Sequence, residues 1–373
     1  MSSHFTLLIS KHFEDITDPR VNRGHNYCLI ELIFLAVCAT ISRAEGWADI
    51  ERWGNSKLKW LRQYLPYEKG IPSHDTLGRV FARFDTTEFN AALIGLTGDI
   101  ASLVAGKTIA IDGKSLRGSH DAATSKSVLH VVTAYATEMK LVIGMRSVED
   151  KSNEIPAAQQ LIDMLHLKGA VVTADAMHCQ RQTVEKIIAK KADYLLMVKE
   201  NQPALFQEVD RLVLAAMENN QSRRTSQRER NRGREEHREV EIVAVPADHP
   251  LREQWKGLQS VGVIYRMRKI GQQIQEETEI FISSLTTGVK DHAKRIREHW
   301  SIENSQHYIL DVTFQEDASR IRKANGPEIT AGIRRMALNI LQRDKTIRDN
   351  IRGKRVRCSY DDALLSQLLQ HFQ

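Results

Sequence analysis

A chain of 373 residues with 42% hydrophobic and 27% charged side chains has apolar surface enough for two or three cores, which excludes a disordered or fibrous class. The formal charge of +6 favours polyanionic partners only modestly, because 47 acidic residues offset 53 basic ones, so the position of the charge matters more than its sum. Cys28, Cys38, Cys179 and Cys358 have neither CxxC pairing nor zinc-ligand spacing, which excludes a disulfide scaffold and reads as reduced cytoplasmic thiols.

Residues 1–95 are expected to be all helical. The first residues lack the cationic start and small-residue cleavage site of a signal peptide, so a cytoplasmic location is expected. The apolar run from Cys28 to Ile41 is too short to span a bilayer and carries Glu31; it reads as a buried core helix, with no membrane partner. Helical spacing continues through ADIERWGNSKLKWLRQYL. A turn then follows at YEKGIPSHD, where Gly70 and Pro72 punctuate the chain and Ser73 or Asp75 can cap the next helix, TLGRVFARF. Helix, short turn, helix is the outline of a DNA-reading helix-turn-helix, with Arg79 and Arg83 placed for phosphate or base contact; helical bundles share the same outline.

At residue 107 the pattern changes to strands. KTIAID, SVLHVVTAYAT and KLVIGMRSV read as three strands, the last two joined by a reversal at Glu138-Met139. Ser152 or Asn153 opens a helix through NEIPAAQQLIDMLHL, GAVVTAD returns as a strand, and CQRQTVEKIIAKK leads as a helix into DYLLMVK. This order predicts a mixed sheet flanked by helices. Asp112-Gly113 is on its own a turn signal, but Asp175 ends a second β-branched run in the same way. A right-handed crossover sets the fourth strand beside the first, with Asp112 and Asp175 at the same end.

Residues 205–285 read as a β-rich insertion. After the helix PALFQEVDRLVLAAM, Arg223 to Arg238 holds seven Arg, Arg234 among them, against three Glu; this suits phosphate contact, and equally a solvated charged loop. SVGVIYRMRK and ETEIFISSL are expected to pair as a hairpin. Helical spacing resumes in VKDHAKRIREHWSIENSQHYIL, where His299, Glu303 and His307 recur every fourth residue and so share a face. The last helix, in AGIRRMALNILQRDKTIRDNI, is expected to be amphipathic with a basic tail: Arg343 to Arg357 holds seven basic residues against two Asp.

Carboxylates from two strands and a helix, Asp112, Asp175 and Glu303, make a hard oxygen site of the type that holds magnesium or manganese. Two such ions about 3.5–4 Å apart can activate water and stabilise the leaving oxygen in phosphodiester cleavage. A rival zinc site from His299, Glu303 and His307 does not match HExxH spacing; such histidines more often pack in the core or face DNA.

The blocks IAIDGKSLRGS, VVTADAMHCQ, LLMVKENQ and HWSIENSQHYILDVTFQEDASRIR, in this order and over nearly the whole chain, resemble the DDE transposases of bacterial insertion sequences, in the group that includes the H-repeat-associated proteins of Rhs elements. The resemblance implies an α/β fold: an RNase H-like mixed sheet flanked by helices, formed by residues 105–204 and 286–330. It implies the β-rich insertion at 205–285, the helical N-terminal domain at 1–95 and a basic helical tail at 331–373. Asp112, Asp175 and Glu303 would be the catalytic triad, holding Mg2+ or Mn2+. The activity implied is cutting of the element's own ends and transfer of the freed 3′-hydroxyl to target DNA. The partners are then double-stranded DNA at element ends and target, bound at the nucleoid by a homodimer. Where related transposases carry Tyr, Arg, Glu and Lys around the last acid, this chain has Ile296, His299, Glu303 and Leu310. Arg295, Arg297, Arg320 and Arg322 lie close enough in sequence to supply the missing charge. The alternatives are a DNA-binding relic that no longer cuts, and a nuclease or phosphatase without mobility.

Overall fold

The computed structural model describes residues 4–20, 26–101, 104–120, 127–148, 154–231 and 233–372. The helix start expected at Ser152 or Asn153 lies outside them. In chain order the elements begin with α1 (His4–Phe13), α2 (Leu29–Ile41), α3 (Trp47–Leu61), α4 (His74–Phe81) and α5 (Thr86–Ala101). Next come β1 (Thr108–Leu116), β2 (Leu129–Ala136), β3 (Leu141–Val148), α6 (Glu154–Met164), β4 (Val171–Ala174), α7 (Arg181–Ala189), β5 (Asp193–Val198) and α8 (Pro203–Glu218). The rest runs β6 (Arg223–Asn231), β7 (Arg234–Ala244), α9 (Leu251–Gln254), β8 (Ser260–Ile270), β9 (Gln273–Ser283), α10 (Val289–Ile302), a π-helical turn (Glu303–His307), α11 (Tyr308–Val312), α12 (Gly326–Arg343), α13 (Ile351–Tyr360) and α14 (Asp362–Gln370). It is a mixed α/β chain. Among the described residues no helix is long and apolar enough to cross a membrane.

The chain divides into two compact units, one of Met1–Leu103, Gly113–Ala157 and Glu303–Gln373, the other of Val104–Asp112 and Ala158–Ile302. In the second unit the strands run side by side as β1-β4-β5-β9-β8-β7-β6. The first three are parallel, as strands joined by helical crossovers must be. From β9 onward all pairs are antiparallel. Phe281, Met197, Leu195 and Ile264 form a buried cluster with Ile296 of α10, so α10 covers one face of this sheet. The expected β8–β9 hairpin is present, and its strands run on to a turn at Gly271, whose φ is +59°.

In the first unit the expected amphipathic character of the last long helix is not found. Every α12 residue from Gly326 to Leu341 is buried, and its polar side chains find internal partners. Arg335 Nη1 donates to Glu316 Oε1 at 2.8 Å with both side chains fully buried. Asn339 closes two hydrogen bonds of 2.8 Å with the backbone of Val142 in β3. Arg and Asn are placed at core positions because the chain supplies a partner for each. The same logic accounts for Glu31 inside the apolar α2, where Tyr67 N–H donates to its carboxylate at 2.6 Å.

Asp112-Gly113 is not a turn: β1 continues through it to Leu116. The glycine is needed for space, since a Cβ at position 113 would run into the Glu154 carboxylate and the His130 ring.

Candidate catalytic carboxylates

In the parallel β1–β4 pair Ile111 stands opposite Ala174. Asp112 and Asp175 are the next residues: β4 ends there, at the end where open α/β sheets bind ligands, whereas β1 runs on past Asp112 to Leu116. Asp175 leaves the strand in an extended conformation (φ −63°, ψ 162°) and opens the short 3-10 turn Ala176–His178, which leaves its side chain 65% exposed.

The ring of His299, on α10, is buried against this pair. Its Nε2 lies 3.2 Å from Asp175 Oδ1 and its Nδ1 lies 3.1 Å from Thr173 Oγ1. A carboxylate only accepts, so Nε2 carries the hydrogen donated to Asp175, while Nδ1 shares the second bond with the threonine hydroxyl. The hydrogen bond from His299 holds the Asp175 carboxyl below its usual range against the opposing effect of burial, with the nearby charges of His299, Lys199 and His178 adding to it. Asp175 is therefore ionised at neutral pH.

Glu303 follows α10 directly, one turn beyond His299, and opens the π-helical turn. Its carboxylate is exposed, with His307 Nδ1 3.6 Å from Oε2. Across the π turn Glu303 and His307 still meet, while the ring of His299 is turned to Thr173 and Asp175; single π turns recur at functional sites. His299 already engages Thr173 and Asp175, which leaves the rival zinc grouping without its first ligand.

The cations expected to meet DNA differ in their surroundings. Ser73 caps α4, its hydroxyl accepting from Thr76 N–H, and Arg79 and Arg83 after it are exposed. Arg295 is buried, its Nη1 donating to Gly106 O at 2.9 Å and to Thr108 Oγ1 at 3.1 Å. It ties α10 to the start of β1 and is not a surface charge. Arg297 is exposed and pairs with Glu229. Arg320 is exposed, as is Arg322, whose Nε donates to Gly118 O at 3.0 Å.

The Arg-rich segment is a β6–β7 ladder and not a loop. Much of its charge is cancelled in place: Arg224 pairs with Glu239, Arg230 with Glu235, and Arg234 and Arg238 both reach Glu236, at 2.8 and 2.9 Å. Burial opposes ionisation of Glu236, but Arg238 and Arg234 outweigh it and hold the carboxyl low.

His299 is packed in the core, as such histidines are expected to be, and its place four residues before Glu303 puts it one turn from that acid. One group escaped the reading of the sequence: Lys114, which stands just after KTIAID and is given no role there. Its buried ammonium lies 2.7 Å from Asp311 and 2.9 Å from Asp317, which ties IDGK to the segment that ends in QEDAS.

Comparison with known proteins places these residues in context. Residues 105–340 match the family model "Transposase DDE domain", and residues 10–97 match "DDE_Tnp_1-associated". The chain is 37% identical to "Putative transposase YncI" of Escherichia coli O157:H7 over 360 residues, 95% of this chain and 92% of that one. It is also 37% identical to "H repeat-associated putative transposase YhhI" of Escherichia coli strain K12 over 369 residues, 97% of each. Among solved structures, a cryo-EM structure of a piggyBac transposase synaptic complex with hairpin DNA aligns with 97% of this chain and 77% of its own, at a TM-score of 0.41 and 11% identity.

Proposed function

The chain belongs to the DDE transposase family, in the H-repeat-associated group, and we propose that it binds the ends of its insertion sequence, cleaves DNA phosphodiesters and transfers the 3′-hydroxyl ends to target DNA. Asp112, Asp175 and Glu303 are the catalytic acids in this reading. What supports it is the parallel β1–β4 register, in which the residues before Asp112 and Asp175, Ile111 and Ala174, stand opposite each other, together with α10, which brings His299 onto Asp175 and continues into Glu303.

The donor chemistry fits a hard divalent cation, Mg2+ or Mn2+. Asp175 is held ionised, and carboxylates are the hard oxygen donors that such an ion takes. Asp112, Asp175 and Glu303 would hold it. Bound there, a pair of ions would supply the activation of the attacking oxygen and the stabilisation of the leaving one. The protein's own contribution is positional. His299 fixes one carboxylate oxygen of Asp175 and keeps it unprotonated, and Arg295 anchors α10 to β1.

In the same reading residues 105–204 and 286–330 form an RNase H-like catalytic domain with the insertion at 205–285, and residues 1–95 bind DNA through Arg79 and Arg83. Cutting two ends together calls for a homodimer assembled on DNA in the cytoplasm. The test is a nicking and strand-transfer assay on duplexes made from the DNA flanking the gene, with Mg2+ or Mn2+. Wild type should nick, and Asp112→Asn, Asp175→Asn and Glu303→Gln should each bind and not nick. Binding by wild type without nicking identifies a relic, and cutting without preference for the flanking ends identifies a nuclease without mobility.

A further inference from the structure

The edge that carries Asp112 and Asp175 carries more than two acids. Across β5 and β9 Met197 stands opposite Phe281, and both side chains lie in the cluster beneath α10. Side chains two residues apart on a strand share a face. Lys199 and Glu279, two residues nearer the carboxyl end of β5, therefore emerge on the α10 side as well. Their side chains meet there, Lys199 Nζ lying 3.4 Å from Glu279 Oε1, with the lysine 61% exposed and the glutamate 14%.

β5 is the immediate neighbour of β4, so this ammonium stands one strand over from Asp175, at the same end. The loop that bears it is built into the site. Asn201 Nδ2 donates to Ala176 O at 2.9 Å and Gln202 Nε2 donates to Cys179 O at 3.1 Å. The segment after Lys199 is thus stitched to the segment after Asp175. Nothing in the carboxylate chemistry uses the LLMVKENQ block, yet it delivers a cation to a place where a phosphodiester must approach negative side chains.

We propose that Lys199 contacts DNA phosphate in the cleavage reaction: on binding, its ammonium exchanges Glu279 for a non-bridging oxygen of the strand lying over Asp112 and Asp175, and Asn201 and Gln202 are positioning residues that hold it in register with Asp175. The lysine end of the pair is exposed and its contact to Glu279 is long, at 3.4 Å, so it is readily exchanged, and a lysine serves phosphate as a mobile point charge. Glu279 parks the lysine in the DNA-free protein and keeps it from collapsing onto the acids. The proposal rests on the transposase reading.

The experiment uses the full chain, its Lys199→Ala, Lys199→Arg and Glu279→Gln variants, and a labelled duplex made from the DNA flanking the gene. Binding is measured over a salt series without divalent metal, and nicking at saturating DNA with Mg2+. Lys199→Ala should make the dependence of log Kd on log salt shallower by about 0.9, the loss of one phosphate contact. It should also slow nicking on the order of a hundredfold. Lys199→Arg should restore both, and Glu279→Gln should bind as tightly as wild type or tighter. An unchanged salt slope in Lys199→Ala overturns the proposal, as does an arginine variant as defective as the alanine one. Absence of nicking by wild type overturns the transposase reading instead, and leaves the salt slope to decide on Lys199.

Discussion

His299 Nε2 lies 3.2 Å from Asp175 Oδ1, while the other nitrogen of the same ring lies 3.1 Å from Thr173 Oγ1. A side chain of α10 is thereby locked to both the last residues of β4 and the acid that follows them. The helix that leads into Glu303 is set in rotation and height by a contact to Asp175, its partner in the proposed triad. This is the role that an outer-shell histidine has in many metal sites, with its partners exchanged: here the histidine orients a carboxylate.

Replacement of His299 by Leu removes the donor while keeping side-chain bulk, and cleavage should fall by about 10–100-fold, the usual cost of losing an outer-shell partner. His299→Gln, which retains an N–H donor, should keep much of the activity. Rates of nicking at saturating DNA distinguish the two, and equal loss in both would argue against orientation through this hydrogen bond.

Gly113→Ala tests the close packing of β1 against Glu154 and His130. The added methyl must displace the carboxylate or the ring, an overpacking cost of about 1–3 kcal/mol. A drop in the urea midpoint with unchanged slope is the expected result. A neutral substitution would show that Glu154 and His130 yield freely.

The parallel pairing of β1 with β4 was legible in the sequence because both strands are apolar, β-branched and joined by a crossover whose hand is fixed. The β8–β9 hairpin was legible from its alternation. What escaped depended on partners far away in the chain. Gly113 looked like a turn because the residues it makes room for, His130 and Glu154, are remote in sequence. Arg335 and Asn339 looked like a polar face of α12 because Glu316 and Val142, which satisfy them, cannot be read from helical periodicity. The Arg-rich strand β6 looked like a charged loop since ion pairs across a strand pair leave no apolar alternation to detect, whereas REVEIVAV in β7 alternates visibly. Nothing in HWSIENSQHYIL signals a π turn at Glu303.

The buried pair of Glu316 and Arg335 gives the first unit a pH dependence. Burial works against the Glu316 carboxylate, but Arg335, Lys114 and Arg334 outweigh it and hold the carboxyl below its ordinary value. A folded-state pKa below the unfolded one of about 4.3 contributes stability that is present above that value and lost as pH falls through the folded pKa. Acid unfolding of wild type should therefore begin below pH ~4.3. Arg335→Met, which leaves the carboxylate buried beside fewer cations, should cost about 3–5 kcal/mol at neutral pH. Urea titrations at several pH values measure both effects, and a variant as stable as wild type at neutral pH would contradict the pairing argument.

Exposed Arg79 and Arg83 and buried Arg295 should separate cleanly in a salt series. Each of the first two stands free of the core on or just after α4, so alanine at either should weaken binding to the flanking duplex and make the salt slope shallower by about 0.9 if it meets a phosphate. Arg295 bonds Gly106 O and Thr108 Oγ1, and its loss should leave the buried Thr108 hydroxyl short of a donor and α10 untied from the start of β1. Arg295→Ala is expected to lower stability by about 1–3 kcal/mol with the salt slope unchanged. Arg234, paired to Glu236 at 2.8 Å, falls between: alanine there leaves Glu236 with Arg238 alone, and the net loss of positive charge should weaken DNA binding without a full phosphate's worth of slope. A shallower slope for Arg295→Ala than for Arg79→Ala would mean that α10 turns its buried face toward DNA, and would reverse this assignment of the cations.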